Sequence, residues 1–313
     1  MTNYKILLTD GLDEKGQSIL RKSATVDDKS GILADDLLKA VPAYDALIVR
    51  GRTKVTASVM EAASKLKVVG RAGVGVDNID LEAAKQHNVT VVNAPTSTSL
   101  AVAELTFGLL LAVAREIPRA DVGMKKGNWL KKELKGVELN GKTLGIIGYG
   151  RIGVEAGKRA SAFGMNVIAY DPLISEDEIV KRGAEPVSIQ DLYAWSDFIS
   201  LHLPLSVQTR DMIGQMAFSQ MKDGVRIVCA ARGGIIDESA LVEALNSGKV
   251  AGAALDVFGQ EPPGVTETVS HPRVIATPHI GAQTAEAQIR AAEDISNEVL
   301  SALQGKPLRW KVA

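Results

Sequence analysis

The chain has 313 residues, 46% of them hydrophobic, and a formal net charge of −1. That length predicts two domains, each able to bury a core, and the balanced charge removes any electrostatic case for nucleic-acid or anionic-membrane binding. A single cysteine, Cys229, excludes an intrachain disulfide and suits a reducing, cytoplasmic setting. No signal-peptide pattern opens the chain, and the most apolar helix candidate, 105–114, is too short to span a bilayer.

Over the first 95 residues, short β-branched runs alternate with helical patterns. Strands are predicted at 5–8, 46–49, 67–70 and 89–92, and helices at 14–20, 34–41, 57–63 and 81–86. Buried runs between helices predict a parallel sheet covered on both faces. Asn93-Ala94-Pro95-Thr96 breaks the alternation, and a long apolar helix follows at Ser99–Arg115, its end limited by Pro118. Its apolar residues run nearly all the way round, so it must be buried on several sides. Strands are then predicted at 142–147, 166–170, 198–203, 226–230, 253–257 and 274–276, and a final helix at 285–303 ends before Gly305, a left-handed C-terminal position. The fold class is α/β, with two doubly wound parallel-sheet domains. The simplest arrangement returns the last helix to the first domain, giving 1–97 plus 281–313 and 98–280, with a cleft between them.

Gly148-Tyr149-Gly150-Arg151-Ile152-Gly153 sits between the predicted strand 142–147 and a helical pattern. That is the glycine fingerprint of a Rossmann unit in its expected context. Gly148 permits the tight turn, Gly150 lets a pyrophosphate approach the backbone, and Gly153 lets helix and strand pack closely. Arg151 and Ile152 open the helix, whose free N–H groups and positive dipole end favour a phosphate. Asp171 lies 18 residues after Gly153, where an acid hydrogen-bonds the adenosine ribose. A carboxylate there repels a 2′-phosphate, so NAD is favoured over NADP. No metal is expected.

The residues that could carry chemistry follow this loop, at the ends of predicted strands, where open α/β sheets place their ligands. Arg232-Gly233-Gly234 offers a planar fork for a carboxylate beside a backbone that a ligand can approach closely. His279 follows Thr277-Pro278 and titrates near neutrality, so it can take and return a proton. Glu261, in Gln260-Glu261-Pro262-Pro263, could fix the tautomer of His279. His87 and His271 read as structural. His202, at a strand end before Leu203-Pro204, could line a cofactor site without transferring protons. Cys229 lies in an apolar strand with nothing to activate it and reads as an inert thiol.

Arg232, Glu261 and His279, spaced this way after a central glycine loop, resemble the D-isomer-specific 2-hydroxyacid dehydrogenase family. The likeness covers essentially the whole chain. It includes 70–78 (Gly-Arg-Ala-Gly-Val-Gly-Val-Asp-Asn), 139–145, 231–237, 254–258 and 278–282. The resemblance implies a flavodoxin-like substrate-binding domain and a Rossmann NAD-binding domain. It implies His279 as proton acceptor in oxidation, Glu261 as its partner, and Arg232 as the carboxylate ligand. Pro204, Thr209, Ala230, Asp256 and Gly281 would join the glycine loop around NAD. Gly73, Val74 and Gly75 would present N–H groups to the substrate carboxylate, and Arg50, Arg52 and Arg71 would meet a phosphate. Within the family the likeness is greatest to members that oxidise 3-phospho-D-glycerate to 3-phosphooxypyruvate, the first step of L-serine biosynthesis. Here Lys131 and Lys132 stand where those members tend to place an arginine, and Cys229 where many carry asparagine. Many of them also continue into a serine-sensing domain; this chain ends at Ala313, so feedback through such a domain is not expected. A homodimer built through 99–115 and 123–135 is implied. The alternatives are a glyoxylate or hydroxypyruvate reductase of the same family and, from another class, an NAD-sensing corepressor-like protein.

Overall fold

The computed structural model describes residues 4–313. It divides into two compact units, one running to Thr98 and resuming at Ala282–Ala313, the other Ser99–Gly281.

In the first unit the chain runs Tyr4–Leu8 (β1), Glu14–Arg21 (α1), Ala24–Asp28 (β2), Ala34–Ala40 (α2), Ala46–Val49 (β3), Ala57–Ala62 (α3), Val68–Arg71 (β4), Leu81–Gln86 (α4) and Thr90–Asn93 (β5). The strands form one parallel sheet in the order β2-β1-β3-β4-β5, the flavodoxin-like doubly wound order. β2 is absent from the sequence-based expectation. Its sequence Ala-Thr-Val-Asp-Asp is polar, because it is an edge strand with one neighbour and one covered side.

The second unit opens on Ser99–Arg115 (α5) and Ile117–Lys125 (α6). It continues through Thr143–Ile147 (β6), Arg151–Ala162 (α7), Asn166–Tyr170 (β7), Glu176–Lys181 (α8), Glu185–Pro186 (β8), Ile189–Trp195 (α9) and Phe198–Leu201 (β9). Gln215–Gln220 (α10), Val225–Cys229 (β10), Glu238–Asn246 (α11), Val250–Leu255 (β11), Glu267–Ser270 (α12) and Val274–Ala276 (β12) complete it. Its parallel sheet has the order β12-β11-β10-β9-β6-β7-β8, with the strand order reversing between β6 and β9. The long apolar helix ends at Arg115 as expected, but Pro118 also opens a further helix. Glu116 adopts a left-handed conformation (φ 51°), and Pro118 then sits in the first turn of α6, where its missing N–H costs nothing. α5 buries Ala103, Thr106, Phe107, Leu110 and Val113 among others, while Leu100 and Glu104 remain exposed. It thus meets the multi-sided burial expected of it.

The last helix, Ala285–Leu303 (α13), belongs to the first unit. Successive residues of β1 point to opposite faces of the sheet. Ile6 and Leu8 pack with Ile295, Val299 and Leu303 of α13, while Leu7 packs with Leu37, Met60 and Ala84. Gly305 follows with φ 65°, as its C-terminal placement predicts. None of the helices is long and apolar enough to cross a membrane among the described residues.

α1 lies against α13 at Gly16, where a Cβ would stand 2.7 Å from the Ala292 carbonyl oxygen, and Ser296 Oγ donates to Gly16 O at 3.0 Å. Backbone cannot yield as a side-chain tip can. Gly16→Val is expected to destabilise the first unit by about 1–3 kcal/mol, read as a lowered urea midpoint.

Candidate active site

The second unit's candidate residues gather at the carboxyl ends of its parallel strands. Gly148 follows β6 with φ 90°, a conformation only glycine holds freely. It also sits where a Cβ would lie 2.5 Å from His202 O, just beyond β9. The glycine therefore serves the turn and the close approach of two loops at the reversal of strand order. Gly150 is the N-cap of α7, no side chain caps that helix, and the space in front of its Cα is open. An uncapped helix terminus facing open space fits a pyrophosphate. Asp171, just after β7, accepts hydrogen bonds from Tyr149 N (2.8 Å) and Leu173 N (2.9 Å). Each oxygen keeps a second lone pair, so the loop's own backbone orients this carboxylate for a further donor.

Pro204 and Thr209 close a turn after β9, with Thr209 Oγ1 donating to Pro204 O at 2.7 Å. His202 reaches Ser200 Oγ through Nε2 at 2.9 Å, while its Nδ1 is sealed from solvent with no hydrogen-bond partner among the described residues. Burial lowers this imidazole to about 4, so it is neutral at physiological pH. Cys229 and Ala230, at the end of β10, are buried, and burial pushes the thiol up to about 11. The thiol is inert.

Arg232, Glu261 and His279 come from three loops, after β10, β11 and β12. His279 Nδ1 and Glu261 Oε2 stand 2.7 Å apart, and Glu261 Oε1 accepts Phe258 N at 3.1 Å. Partial burial pushes the Glu261 carboxyl up, but the hydrogen bond and charge of His279, the Phe258 N–H and the nearby Arg232 outweigh it and hold it below the usual carboxylate range. With Nδ1 engaged, Nε2 is the nitrogen open to proton exchange. Arg232 Nη1 also donates to Ala231 O at 2.7 Å.

Asp256 has a part that sequence spacing did not convey. Its carboxylate is fully buried and accepts Thr277 Oγ1 (2.6 Å), Ile280 N (2.8 Å) and Gly281 N (2.8 Å). It thereby holds the turn that carries His279, which sits at φ 51°.

In the first unit the candidate cations fare unequally. Asp10, overlooked in the sequence, accepts Arg50 N, Thr53 N, Thr53 Oγ1 and Arg52 Nε. Its own burial opposes ionisation, but these contacts hold its pKa below the ordinary value. Arg52 also donates to Thr9 O at 2.8 Å, so its guanidinium braces the turn. The Arg50 guanidinium is half-buried, and burial lowers its pKa. Arg71 folds over Gly73 so closely that a Cβ there would lie 1.5 Å from Nη1. Gly73 N is turned back onto Arg71 O at 2.8 Å. Val74 and Gly75 carry the remaining N–H groups of that turn.

A Rossmann sheet, an open helix N-terminus and an Arg, Glu and His set at the strand ends define the class of NAD-dependent 2-hydroxyacid dehydrogenases. Residues 107–281 match the family described as D-isomer specific 2-hydroxyacid dehydrogenase, NAD binding domain, and the chain belongs to that family, with NAD as its cofactor. It is 50% identical over 303 residues to a D-3-phosphoglycerate dehydrogenase of Methanocaldococcus jannaschii, covering 96% of this chain but 58% of that protein. It is 48% identical over 307 residues to a hydroxypyruvate reductase of Thermotoga maritima, covering 97% and 99% respectively. The chain thus spans little more than half the length of the phosphoglycerate dehydrogenases it matches. A D-lactate dehydrogenase from Aquifex aeolicus, solved with NAD and lactic acid, superposes with a TM-score of 0.82 at 31% identity, covering 96% of each chain.

The His202 environment predicts a pH effect. Between pH 6.5 and about 4 the unfolded chain takes up a proton at this site and the folded chain does not. Stability therefore falls as pH drops through that window. Chemical denaturation at several pH values is expected to show a shallower acid slope for His202→Gln than for the wild type.

Proposed function

We propose that the chain catalyses the NAD-dependent oxidation of 3-phospho-D-glycerate to 3-phosphooxypyruvate, the entry to serine synthesis. The observation that carries the reading is the His279–Glu261 pair at 2.7 Å with Arg232 close enough to bias the carboxyl. All three stand on loops at the carboxyl ends of the sheet that presents the glycine loop. When bound, NAD supplies the hydride acceptor. Gly148 to Gly153 would hold its pyrophosphate, Asp171 its ribose, and Pro204, Thr209, Ala230 and Gly281 the rest of its outline, with the fully buried Asp256 shaping it through the Gly281 turn. Arg232 binds the substrate carboxylate as a planar fork. His279 Nε2 takes the C2 hydroxyl proton, and Glu261 stabilises the imidazolium that forms. In the first unit, the resemblance gives Val74 and Gly75 N–H groups to an acid group and Arg50 and Arg71 to a phosphate, while Arg52 braces their turn. The substrate choice draws on the phosphoglycerate dehydrogenase relatives.

A second reading, a hydroxypyruvate reductase, draws on the Thermotoga maritima relative, which this chain matches over almost its whole length. Initial rates with NADH separate the two. The first expects the highest kcat/KM for 3-phosphooxypyruvate; a higher value for hydroxypyruvate or glyoxylate favours the second. Arg71→Met is expected to raise KM for the phosphorylated acid far more than for hydroxypyruvate. His279→Gln is expected to lower kcat about 10²–10⁴-fold. Unchanged turnover in that variant would remove His279 from the chemistry, whereas a wild-type chain that binds NAD and turns over no 2-oxo acid would support the corepressor-like alternative.

We further infer a cytoplasmic homodimer. Supporting it are Ile117, Val122, Met124 and Trp129, large apolar side chains that α6 and the segment after it leave exposed, Trp129 by 74%. Light scattering should return about twice the 33.2 kDa chain mass, and Trp129→Asp should shift it towards the monomer.

A further inference from the structure

Glu238 is the first residue of α11 and takes no part in the proposed chemistry. Its position in sequence suggests a favourable charge at a helix N-terminus, while Asp237 does the capping, accepting Ser239 N and Ala240 N. The Glu238 side chain turns elsewhere. Its Oε1 accepts Gly259 N at 2.8 Å, across 21 residues of sequence. Gly259 opens the loop that carries Glu261. The neighbouring Phe258 N donates to Glu261 Oε1, and Glu261 Oε2 meets His279.

The same two loops touch at a second point. A Cβ on Gly233, next to Arg232, would lie 1.7 Å from Phe258 O and 2.7 Å from Gly259 N. The backbone of the Arg232 loop therefore lies directly on the backbone of the Glu261 loop. Contact alone fixes how near they are, but it leaves them free to slide. A hydrogen bond from Gly259 to a helix that begins five residues beyond Gly233 removes that freedom.

We propose that Glu238 is a positioning residue that clamps the Glu261 loop to the Arg232 loop and so sets the spacing between the carboxylate-binding arginine and the Glu261–His279 pair. The proposal rests on the dehydrogenase reading given above. What it needs is the acceptor oxygen at this reach rather than the negative charge. A helix-dipole role needs the charge and is indifferent to reach.

Three variants of the full chain test it. Glu238→Ala removes the acceptor, Glu238→Gln keeps an acceptor oxygen without charge, and Glu238→Asp keeps the charge but withdraws the oxygen by one methylene. Glu238→Ala and Glu238→Asp are expected to lower kcat about tenfold with KM for NADH unchanged, since misplacement of reacting groups is felt in the chemical step. Glu238→Gln should stay within about twofold of wild type. Amide exchange measured by NMR without substrate should accelerate in the Ala and Asp variants at Phe258, whose N–H is bonded to Glu261 rather than to Glu238, as well as at Gly259. Wild-type kcat and Phe258 exchange in Glu238→Asp would overturn the proposal. So would a Gln variant as slow as Ala, which would assign the effect to charge. If Glu238→Ala fails to fold, the Asp and Gln pair still decides. If the wild-type chain reduces no 2-oxo acid, the dehydrogenase reading falls, and Phe258 exchange alone then judges the clamp.

Discussion

The buried carboxylate of Asp256 is the interaction on which the candidate site depends. Placing such a group out of water costs several kcal/mol unless its lone pairs are met. Here a hydroxyl and two backbone N–H groups meet them, all from the turn after β12. That turn would otherwise be costly. His279 holds a left-handed conformation without being glycine, an arrangement that typically costs about 1–3 kcal/mol and persists only where the surroundings enforce it. Leaving a buried acceptor unmet costs about 1–3 kcal/mol, so the three hydrogen bonds to Asp256 can impose the conformation. The left-handed residue aims the imidazole at Glu261.

The parallel sheet explains why these loops meet at all. Every strand of the second unit runs the same way, so every outgoing loop leaves from one edge. The reversal of order between β6 and β9 opens a gap in that edge. Gly148 lets the loop after β6 press against His202 O, and a neutral His202 fills the ground behind it. A protonated ring there would leave a sealed N–H at Nδ1 with no acceptor among the described residues, and burial lowers its pKa.

Much of this was legible in the sequence because it is local. The glycine loop, the strand before it and Asp171 lie within one short βαβ unit, and each residue type has a steric or electrostatic reason to stand where it does. The buried strands read as apolar runs because both their faces are covered. β2 was illegible because an edge strand needs no apolar run. α6 was missed because a proline that opens a helix looks, in sequence, like one that closes it. The structural parts of Asp10, Asp256 and Glu238 are not legible in the sequence for another reason. Each works through hydrogen bonds to residues 21 to 43 positions away, and nothing in spacing shows which acid will be buried against which backbone. His279 lacked even the glycine or asparagine that flags a left-handed turn.

The same limit bears on how charge should be counted in the first unit. Three arginines, Arg50, Arg52 and Arg71, look equivalent as residue types. In the fold they differ, because Asp10 is 4% exposed and draws one of them to itself. A buried acid must recruit donors, and Arg52 is the flexible cation within reach. Its guanidinium is committed to Asp10 and Thr9 O, where it stiffens the turn that carries Arg50. Arg71 lies over Gly73, which has no side chain to displace it. Arg50 and Arg71 therefore stand in surroundings unlike those of Arg52, although residue type alone makes the three equivalent.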